Sequence, residues 1–482
     1  MMWIFELDWN NLTPVEIVNL INVVFTTLLG FFVLYKVIFI FIGFFPPKKY
    51  PVTKNTNNKY AFLIAARNEE KVIEGLLESI HKQDYPSENI TIFVVADNCS
   101  DQTKEVAKSQ GAIVYERFHD HHIGKGYALE YLTRHIDKDY GLASFDGFFV
   151  FDADNLLKSD YVSRMNDTFV AGNKVVTSYR NIKNFDTNFI SASYGFHQYR
   201  NLRTLHNPRT RLNLSCTITG TGFLFASEII KDTGWRWRLL TEDMEFTIDA
   251  AELGYNIVYC SEAIFYDEQP TSVHMMFRQR RRWAKGFLQV FASRHKSIIK
   301  NLFFASKRKT NLGNHQGKLR YELTFYDFYW HIFPYALVTF FWKILYYVSL
   351  ITVTHLNGAN AMALVGEIGL DVLTSIGVFW AIGIVQILPV VVLEWKQIYA
   401  KKVFKIIYML TFPFFDLVNI PISLAALFSP PDWKPIKHED TRSIETVDEF
   451  FVSEDERREK RRQESAKKQA KLNRKKHINR GK

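Results

Sequence analysis

The stretch Phe148-Phe149-Val150-Phe151-Asp152-Ala153-Asp154 joins a short apolar run to two carboxylates that stand two positions apart. An uninterrupted apolar run of this length is typical of a strand that is buried on both faces of a sheet. In parallel sheets, ligands bind outside the carboxyl ends of the strands. The sequence therefore predicts a binding site at Asp152 and Asp154, whose hard oxygen atoms suit Mg²⁺ or Mn²⁺.

Two earlier apolar runs extend this pattern toward the N-terminus. Tyr60–Ala65 and Ile90–Val95 have the composition of buried strands, and the helical spacing of apolar residues in Glu69–His81 and Asp101–Gln110 predicts a helix after each. Strands that alternate with helices indicate an α/β fold with a largely parallel sheet. Because Asp97 closes the second run, we expect it at the same sheet edge as the carboxylate pair.

An apolar segment before the α/β region predicts a membrane anchor. Val15–Phe45 is long enough to span a bilayer. It lacks the basic start and the small-residue cleavage site of a signal peptide, so we expect it to be retained. The basic pair Lys48-Lys49 follows it, which places the N-terminus outside and the α/β region in the cytosol by the positive-inside rule.

Three more apolar segments, Tyr326–Thr352, Leu370–Leu393 and Val403–Phe428, come after the α/β region. If all three crossed the bilayer, the basic run Arg457–Lys482 would emerge outside, against the same charge rule. Two alternatives keep this tail in the cytosol: the last segment is re-entrant, or a further helix lies within Tyr321–Gly369. We expect a solvated tail, with contact to anionic lipid as the alternative and no nucleic-acid partner.

Composition agrees with a soluble domain joined to membrane segments. The 482 residues are 47% hydrophobic and 23% charged, with a net charge of +10. The three cysteines, Cys99, Cys216 and Cys260, form no C-x-x-C pair, which argues against a disulfide-rich secreted protein and for a reducing cytosol. Composition makes no prediction about the oligomeric state.

Thr241-Glu242-Asp243 contains the candidate catalytic base, Asp243. A helical pattern over Met244–Leu253 follows, so capping of that helix is the alternative role. Transfer of a sugar with inversion needs a carboxylate that takes the proton of the attacking hydroxyl. A cation at the leaving group makes the carboxylic acid of hydrolases unnecessary. One base and one cation site are therefore sufficient for such a reaction.

Lys125 and the stretch Gln279-Arg280-Arg281-Arg282-Trp283 are the candidates for phosphate binding. Two glycines flank Lys125 and allow its ammonium to approach a phosphate closely, although the spacing of a P-loop is absent. An arginine grips phosphate with a planar fork, and an indole face suits a sugar ring. The alternative for the second stretch is a basic and aromatic anchor at the membrane surface.

In this order, these residues resemble the processive membrane-embedded family 2 glycosyltransferases: the cellulose, hyaluronan and chitin synthases. The resemblance covers residues 57–300 and rests on an ordered set of motifs: Ala65-Ala66-Arg67-Asn68-Glu69-Glu70, Asp97, Lys125, Asp152-Ala153-Asp154, Thr219-Gly220-Thr221-Gly222, Thr241-Glu242-Asp243 and Gln279–Trp283. It implies a cytosolic GT-A (Rossmann-like) domain combined with an α-helical transmembrane region. It also implies a UDP-sugar donor and Mg²⁺ or Mn²⁺ as cofactor.

The resemblance assigns a role to each site residue. It implies that the donor is bound by Ala65, Arg67, Glu69, Asp97, Lys125, Asp152, Gln279 and Arg282. Metal binding falls to Asp152 and Asp154, and the role of base to Asp243. The acceptor end of the growing polysaccharide falls to Trp283, Glu242 and Thr221.

Some positions depart from the family pattern or lie outside its core. Arg67 stands where an aromatic residue is common, and Thr219-Gly220-Thr221-Gly222 stands where cellulose synthases have a cysteine-containing loop. Trp433-Lys434-Pro435-Ile436-Lys437-His438 resembles a C-terminal motif of some bacterial members and is expected to pack on the active site as a gating segment. Asp416 and Asn419 are expected to line a polymer channel because of their polarity.

The predicted chain has five parts: an anchor (1–50), a GT-A domain (51–271), amphipathic interface helices (272–320), a transmembrane channel region (321–428), and a cytosolic segment with a basic tail (429–482). The leading hypothesis is a bacterial, multi-pass polysaccharide synthase of the plasma membrane that polymerises a UDP-sugar and secretes the product. UDP-glucose and a β-glucan are favoured over hyaluronan or poly-N-acetylglucosamine. The alternatives are a non-processive transferase acting on a lipid phosphate and a transporter or scaffold with a nucleotide-sensing domain.

Overall fold

Eight strands within the described residues form one sheet. In chain order they are β1 Tyr60–Ala66, β2 Ile90–Asp97, β3 Ile113–Arg117, β4 Gly147–Asp152, β5 Leu156–Leu157, β6 Val175–Ile182, β7 Phe223–Ala226 and β8 Ile257–Asp267. Their order across the sheet is β3-β2-β1-β4-β7-β6-β8-β5. The structure is a computed structural model that describes residues 8–304, 315–358, 360–431 and 436–451.

Strand direction brings most of the carboxyl ends to one edge of the sheet. β1 is parallel to β2 and β4, β2 is parallel to β3, and β6 is parallel to β8. β7 is antiparallel to both β4 and β6, so β6 and β8 point the same way as β4. The three strands predicted from apolar runs are confirmed, and so is their parallel arrangement. The reversed β7 is an addition, because an apolar run carries no information about strand direction.

Apolar side chains cover both faces of the sheet, as the uninterrupted run in β4 requires. Phe148 and Val150 belong to the core on one face, whereas Phe149 and Phe151 belong to the core on the other. This alternation follows the period of two of a strand. On the second face Phe149 stacks on Phe62 of β1, with 4.8 Å between ring centroids.

The described helices divide between the sheet and an apolar C-terminal half. Those up to the end of the sheet are α1 Pro14–Val33, α2 Tyr35–Gly43, α3 Ile73–His81, α4 Thr103–Ser109, α5 Lys125–Asp139, α6 Tyr161–Val170, α7 Phe189–Asn201, α8 Asn207–Arg211 and α9 Glu242–Glu252. Those after it are α10 Val273–Phe304, α11 His315–Ile332, α12 Tyr335–Leu356, α13 Ala361–Leu393, α14 Lys402–Leu417 and α15 Asn419–Phe428.

The helix predicted from Glu69 begins at Ile73 instead. The backbone N–H of Glu69 donates to Thr103 Oγ1 at 2.8 Å, and that of Glu70 donates to Asp101 Oδ2 at 3.2 Å. Asn68 takes a left-handed conformation with φ of 57°. The loop after β2 therefore holds this turn outside the helix, where its side chains face the carboxyl edge of the sheet.

Four helical stretches of the described chain are long and apolar enough to cross a membrane: Pro14–Gly43, Tyr335–Leu356, Met362–Leu393 and Lys402–Phe428. The predicted start of the span Tyr326–Thr352 is wrong, because the helix is interrupted at Pro334, between α11 and α12. The last stretch is broken as well, between α14 and α15. Pro421 has no backbone N–H and crowds the carbonyl of residue 417, which ends the first helix there.

Buried arginines join the catalytic half to the helices that follow it. Three arginines of Phe189–Arg211, which we call the arginine segment, each pair with a carboxylate on a different C-terminal element: Arg200 with Asp416 of α14, Arg203 with Glu394 at the end of α13, and Arg209 with Asp327 of α11. Arg209 and Asp327 are wholly buried, with Nε to Oδ2 at 2.6 Å, and Tyr35 of α2 donates to Asp327 at 2.7 Å.

The Arg209–Asp327 pair gives a testable expectation about stability. Asp327→Ala leaves a buried guanidinium without its counter-charge, so we expect a loss of about 3–5 kcal/mol in the free energy of unfolding. Thermal unfolding of the detergent-solubilised protein measures this. The matched control is Glu262→Ala, which removes the partner of the exposed Lys49 and should cost about 0–1 kcal/mol. Equal melting temperatures for the two variants would contradict a structural role for the buried pair.

Candidate active site

A cavity of about 590 Å³ lies at the carboxyl edge of the sheet and gathers nearly every predicted site residue. The residues that line it include Ala65, Arg67, Glu69, Asp97, Lys125, Asp152, Asp154, Glu242, Asp243, Gln279, Arg282 and Trp283. Strand ends, two helix starts and one face of α10 therefore meet around one space. The structure brings together residues that the sequence separates by more than two hundred positions.

Thr221 is the exception, and its predicted acceptor contact is wrong. Its side chain is buried and does not line the cavity. Its hydroxyl accepts the backbone N–H of Asp152 at 2.9 Å and donates to Asn155 Oδ1 at 2.5 Å. Thr221 therefore supports the turn that carries Asp152 and Asp154, a role that its spacing from other motifs could not reveal.

Asp97 has a partner that sequence analysis missed. It forms a buried ion pair with Arg117, the residue opposite it on β3. A further N–H of Arg117 donates to the backbone carbonyl of His122. Burial raises the pKa of Asp97, and the Arg117 charge opposes this without reversing it. The carboxylate is thus fixed at the strand end.

Lys125 begins α5 and reaches the carboxylate of Asp152, with which it forms an ion pair. Its ammonium also donates to the carbonyl of Gly220 at 2.8 Å. Burial raises the pKa of Asp152, but the charge and hydrogen bond of Lys125 together with the charges of Arg180 and His438 outweigh it, so the net shift is downward. The next residue must be a glycine, because a Cβ at Gly126 would lie 2.3 Å from the carbonyl oxygen of Trp237. The glycine on the C-terminal side of Lys125 therefore allows close packing of α5.

A second acidic cluster, absent from the predictions, supports Asp154. The backbone N–H of Glu268 donates to Asp154 Oδ2 at 2.9 Å, and Asn155 donates to Asp267 Oδ1 at 3.0 Å. Arg180 pairs with Asp267. Burial raises the pKa of Asp267 although Arg180 opposes it. The rule that found Asp97 could have found Asp267, which closes β8, but nothing in the sequence marks Arg180.

The carboxylates suit a hard divalent cation that binds few protein groups. Within the described ranges no three histidine, cysteine, aspartate or glutamate side chains form a closed metal-binding group. Mg²⁺ and Mn²⁺ sites at phosphates need only one or two carboxylates, because substrate oxygens and waters complete the shell. Asp154 and Asp152 provide that number of carboxylates at the strand end.

Asp243 and Glu242 lie in the first turn of α9 and face the cavity. Asp243 Oδ1 accepts the backbone N–H of Met244 at 2.8 Å. The loop at Gly220 passes close by, since a Cβ on that glycine would be 3.8 Å from Asp243 Oδ2. Burial raises the pKa of both carboxyls, and the charge of Asp243 raises that of Glu242 further. Asp243 can therefore stabilise the start of α9 through Oδ1 and still offer Oδ2 to a ligand, so the helix-capping alternative and a catalytic role do not exclude each other.

One face of α10 closes the cavity opposite the sheet. Gln279, Arg282 and Trp283 are three and four positions apart, so they share that face. The Trp283 ring meets that of Tyr194 edge to face, with 5.9 Å between centroids. Burial lowers the pKa of Arg282 against the attraction of Glu242. The alternative of a purely interfacial anchor does not explain why these side chains line the same space as Asp243.

Arg280 also lines the cavity and contacts the last helices. It donates to the carbonyl of Phe415 at 2.7 Å and to Asn419, and its guanidinium lies 3.7 Å from the Phe415 ring centroid. Asn419 lines the cavity as expected. The expectation for Asp416 is wrong, because Asp416 pairs with Arg200 and does not line the cavity.

The C-terminal segment returns to the end of the cavity at the carboxyl edge of the sheet. His438 lines the cavity and its Nδ1 lies 3.0 Å from Glu69 Oε1. Burial lowers the pKa of His438, but nearby carboxylates outweigh it and raise the value to about 10. The backbone N–H groups of Glu439 and Asp440 donate to Glu268 at 2.9 and 3.1 Å. Trp433, Lys434 and Pro435 of the predicted gating segment lie outside the described residues.

The far end of the cavity reaches the start of the apolar helices. It is lined there by Leu288 of α10, by residues 333–337 at the break between α11 and α12, and by Ser423 of α15. The cavity is thus polar and charged at the sheet edge and largely apolar and aromatic where α12 begins. A ligand that extends from the sheet edge would approach the apolar helices.

Known proteins with similar sequences and structures support this geometry. A probable glycosyltransferase of Bacillus subtilis, YdaM, is 31% identical over 267 residues, which are 51% of this chain and 61% of that protein. The poly-β-1,6-N-acetyl-D-glucosamine synthase of Staphylococcus epidermidis is 25% identical over 250 residues, 50% of this chain and 57% of the relative. The chain therefore matches less than two thirds of the length of these relatives.

A solved structure agrees in fold. The mannosyltransferase PcManGT of Pyrobaculum calidifontis, determined with GDP-Man and Mn²⁺, superposes with a TM-score of 0.51 at 14% identity and covers 84% of this chain and 99% of that one. Residues 57–286 match the model described as glycosyltransferase like family 2. The sheet with its strand-end carboxylates, the two carboxylates on α9 and the match along the same residues agree: residues 57–286 have a GT-A fold and are similar to the family 2 glycosyltransferases.

Proposed function

We propose that the protein is a processive, inverting glycosyltransferase that polymerises a UDP-sugar and passes the product toward the membrane. The observation that supports this most is the continuity of the cavity. A single space connects the strand-end carboxylates and Asp243 with Trp283 and the start of α12. An enzyme that adds one sugar to a soluble acceptor needs no such path to apolar helices.

In this proposal each side chain has a distinct part in the reaction. The carboxylate of Asp243 accepts the proton of the acceptor hydroxyl as its oxygen forms a bond to the anomeric carbon. The bond from that carbon to the diphosphate breaks on the opposite face, and the configuration inverts. Arg282, Gln279 and Lys125 stabilise the negative charge that develops on the leaving diphosphate. A divalent cation at Asp154 and Asp152 would supply further electrophilic assistance there.

Two sugar donors are supported by different observations. Sequence analysis favours UDP-glucose, whereas several relatives are named poly-β-1,6-N-acetyl-D-glucosamine synthases, which supports UDP-N-acetylglucosamine. Both donors share the uridine and diphosphate that the sheet edge is proposed to bind. We therefore propose a UDP-hexose or UDP-N-acetylhexosamine donor, with UDP-N-acetylglucosamine now the first to test.

The arrangement of the C-terminal helices supports three membrane crossings. Glu394, just before α14, accepts a hydrogen bond from Tyr179 of β6 at 2.6 Å. His438, after α15, contacts Glu69 of the same domain. Residues on both sides of Lys402–Phe428 therefore contact the catalytic domain, which supports a stretch that lies at the membrane surface and does not cross. We propose that Pro14–Gly43, α12 and α13 cross, which puts the catalytic domain and the C-terminal segment in the cytosol.

The donor and product are tested together. Protein in membranes is incubated with radiolabelled UDP-N-acetylglucosamine, UDP-glucose or UDP-glucuronate and Mn²⁺ or Mg²⁺, and the product is sized. A long polymer from one donor is expected. A lipid-linked monosaccharide would replace the proposal with the lipid-phosphate reading, and no UDP release from any donor would favour a nucleotide-sensing transporter.

The base is tested by Asp243→Asn. Loss of the proton acceptor should lower kcat by about 10²–10⁴-fold while leaving UDP affinity close to wild type. Because burial raises the pKa of Asp243, the wild-type rate should fall with decreasing pH at values above the usual carboxyl pKa of about 3.9. Acid protonates the base, so activity is lost on the low-pH side. A rate independent of pH from 5 to 8, or normal turnover in Asp243→Asn, would exclude this role.

The acceptor platform is tested by Trp283→Ala. Removing the indole should shorten or abolish polymer while UDP affinity stays within a few-fold of wild type, because the ring faces the acceptor rather than the diphosphate. Trp283→Phe keeps a ring for stacking on sugar and should retain part of the activity. Lost UDP binding with normal chain length would contradict the assignment.

The crossings are tested by cysteine labelling with an impermeant maleimide. Asn357→Cys, between α12 and α13, should label in intact cells, as should Asn10→Cys. Thr441→Cys, in the C-terminal segment, should label only after permeabilisation. The wild-type chain, whose half-buried Cys99 lies in the catalytic domain, is the background control. Labelling of Thr441→Cys in intact cells would show that Lys402–Phe428 crosses.

A further inference from the structure

A lobe of the cavity lined by neutral polar side chains carries an inference that deepens the proposed function and rests on it. Gln198 and Asn201 of α7, His206, Thr217 and His331 at the end of α11 line this lobe, which we call the acceptor lobe. All five side chains are polar and none bears a fixed charge. They come from three separate parts of the chain, the arginine segment, the loop at Thr217 and the end of α11, so only the tertiary structure assembles them.

His206 has an unused hydrogen-bonding atom. Its side chain is 3% exposed and lines the cavity, yet Nδ1 has no hydrogen-bond partner among the described residues. A buried polar atom without a partner costs stability, and such atoms in native proteins commonly await a ligand or a water. His206 also ends a π-helical turn, Leu202–His206, and single turns of this kind are frequent at functional sites.

Thr217 is prepared for a ligand by the residues behind it. Its hydroxyl oxygen accepts from Arg209 at 3.1 Å, which leaves the hydroxyl proton to donate. Neither Arg209, which pairs with Asp327, nor the nearby Lys36 lines the cavity. Burial keeps the pKa of His206 and His331 near 3, which leaves both rings neutral.

The acceptor lobe lies beside the proposed base. Ile218 donates its backbone N–H to Thr247 Oγ1 at 2.9 Å, and Thr247 donates to the carbonyl of Asp243 at 2.8 Å. The loop then continues to Gly220 near Asp243 Oδ2. Three trans peptide steps separate the Cα atoms of Thr217 and Gly220, so these atoms are at most about 11 Å apart.

We propose that His206, with Thr217, binds the hydroxyl or amide groups of a neutral saccharide acceptor and so selects a sugar chain rather than a phosphate. Neutral donors and acceptors suit sugar hydroxyls and release them readily, whereas a phosphate is bound by fixed cations. The cations that line the cavity, such as Arg282 and Lys125, belong instead to the donor half. The occupant of the acceptor lobe is therefore the non-reducing end of a glycan.

The experiment compares His206→Phe with wild type in the full-length protein in membranes. Cellotetraose and a β-1,6-linked N-acetylglucosamine tetramer are the acceptor probes, with a short-chain polyprenyl phosphate as the competing acceptor. His206→Phe removes both ring nitrogens and should raise KM for the saccharide about five- to tenfold, the effect of one or two lost neutral hydrogen bonds. UDP affinity should not change. His206→Gln keeps a donor and an acceptor and should restore part of the difference.

The controls separate this inference from folding and from the proposed function. His135→Phe changes a partly buried histidine that contacts Tyr131 and does not line the cavity, so it should leave KM unaltered. Thr217→Val should raise KM in the same direction as His206→Phe. An unchanged saccharide KM in both variants overturns the inference even if wild type makes polymer. Preferred transfer to polyprenyl phosphate overturns it too, and absence of polymer from wild type contradicts the proposed function itself.

Discussion

The three ion pairs of the arginine segment fix the catalytic domain against the apolar helices, and the rest of the site depends on them. Arg200, Arg203 and Arg209 reach three different C-terminal elements through carboxylates that are largely buried. Buried pairs add little net stability over a well-packed apolar contact, because each charge loses its hydration. They do penalise every arrangement that leaves one charge unpaired. Their effect is therefore to select one position of the helices relative to the sheet.

That selected position allows α10 to serve two neighbours at once. Its face with Gln279, Arg282 and Trp283 closes the cavity over the sheet edge, while Arg280 binds α14 and α15 through Phe415 and Asn419. Residues three or four apart align on a helix, so Gln279, Arg282 and Trp283 share one face, and Arg280 beside them lines the cavity where α14 and α15 approach. The same short motif thus connects the chemistry at the strand ends to the path along the apolar helices.

Charge is unevenly distributed along the cavity, and this distribution divides it by ligand chemistry. Arginine, lysine and the paired carboxylates surround the end where a nucleotide diphosphate would lie, whereas neutral polar groups form the acceptor lobe. Asp243 stands between the two, and burial raises its pKa toward that of a useful base. Each half therefore suits one of the two substrates that a glycosyl transfer brings together.

Most of the strands and the strand-end carboxylates could be predicted, because an apolar run that ends at Asp152 or Asp97 is recognisable from adjacent residues alone. The ordered motifs likewise indicated the family and the face of α10. Other features could not be predicted, since each depends on a contact between distant segments: the partners Arg117 and Arg180, the supporting role of Thr221 and the ion pair of Asp416 with Arg200. The same holds for the break between α11 and α12 at Pro334 and for the break between α14 and α15.

The sequence by itself determined the fold class, the domain of GT-A type and most of the residues that line its cavity, because periodicity and short motifs are local properties of the chain. The tertiary structure alone decided which carboxylates remain free for a ligand, where the apolar helical stretches are broken and which neutral polar groups line the cavity. Those outcomes follow from burial and from ion pairs between elements far apart in sequence, and no local pattern records them.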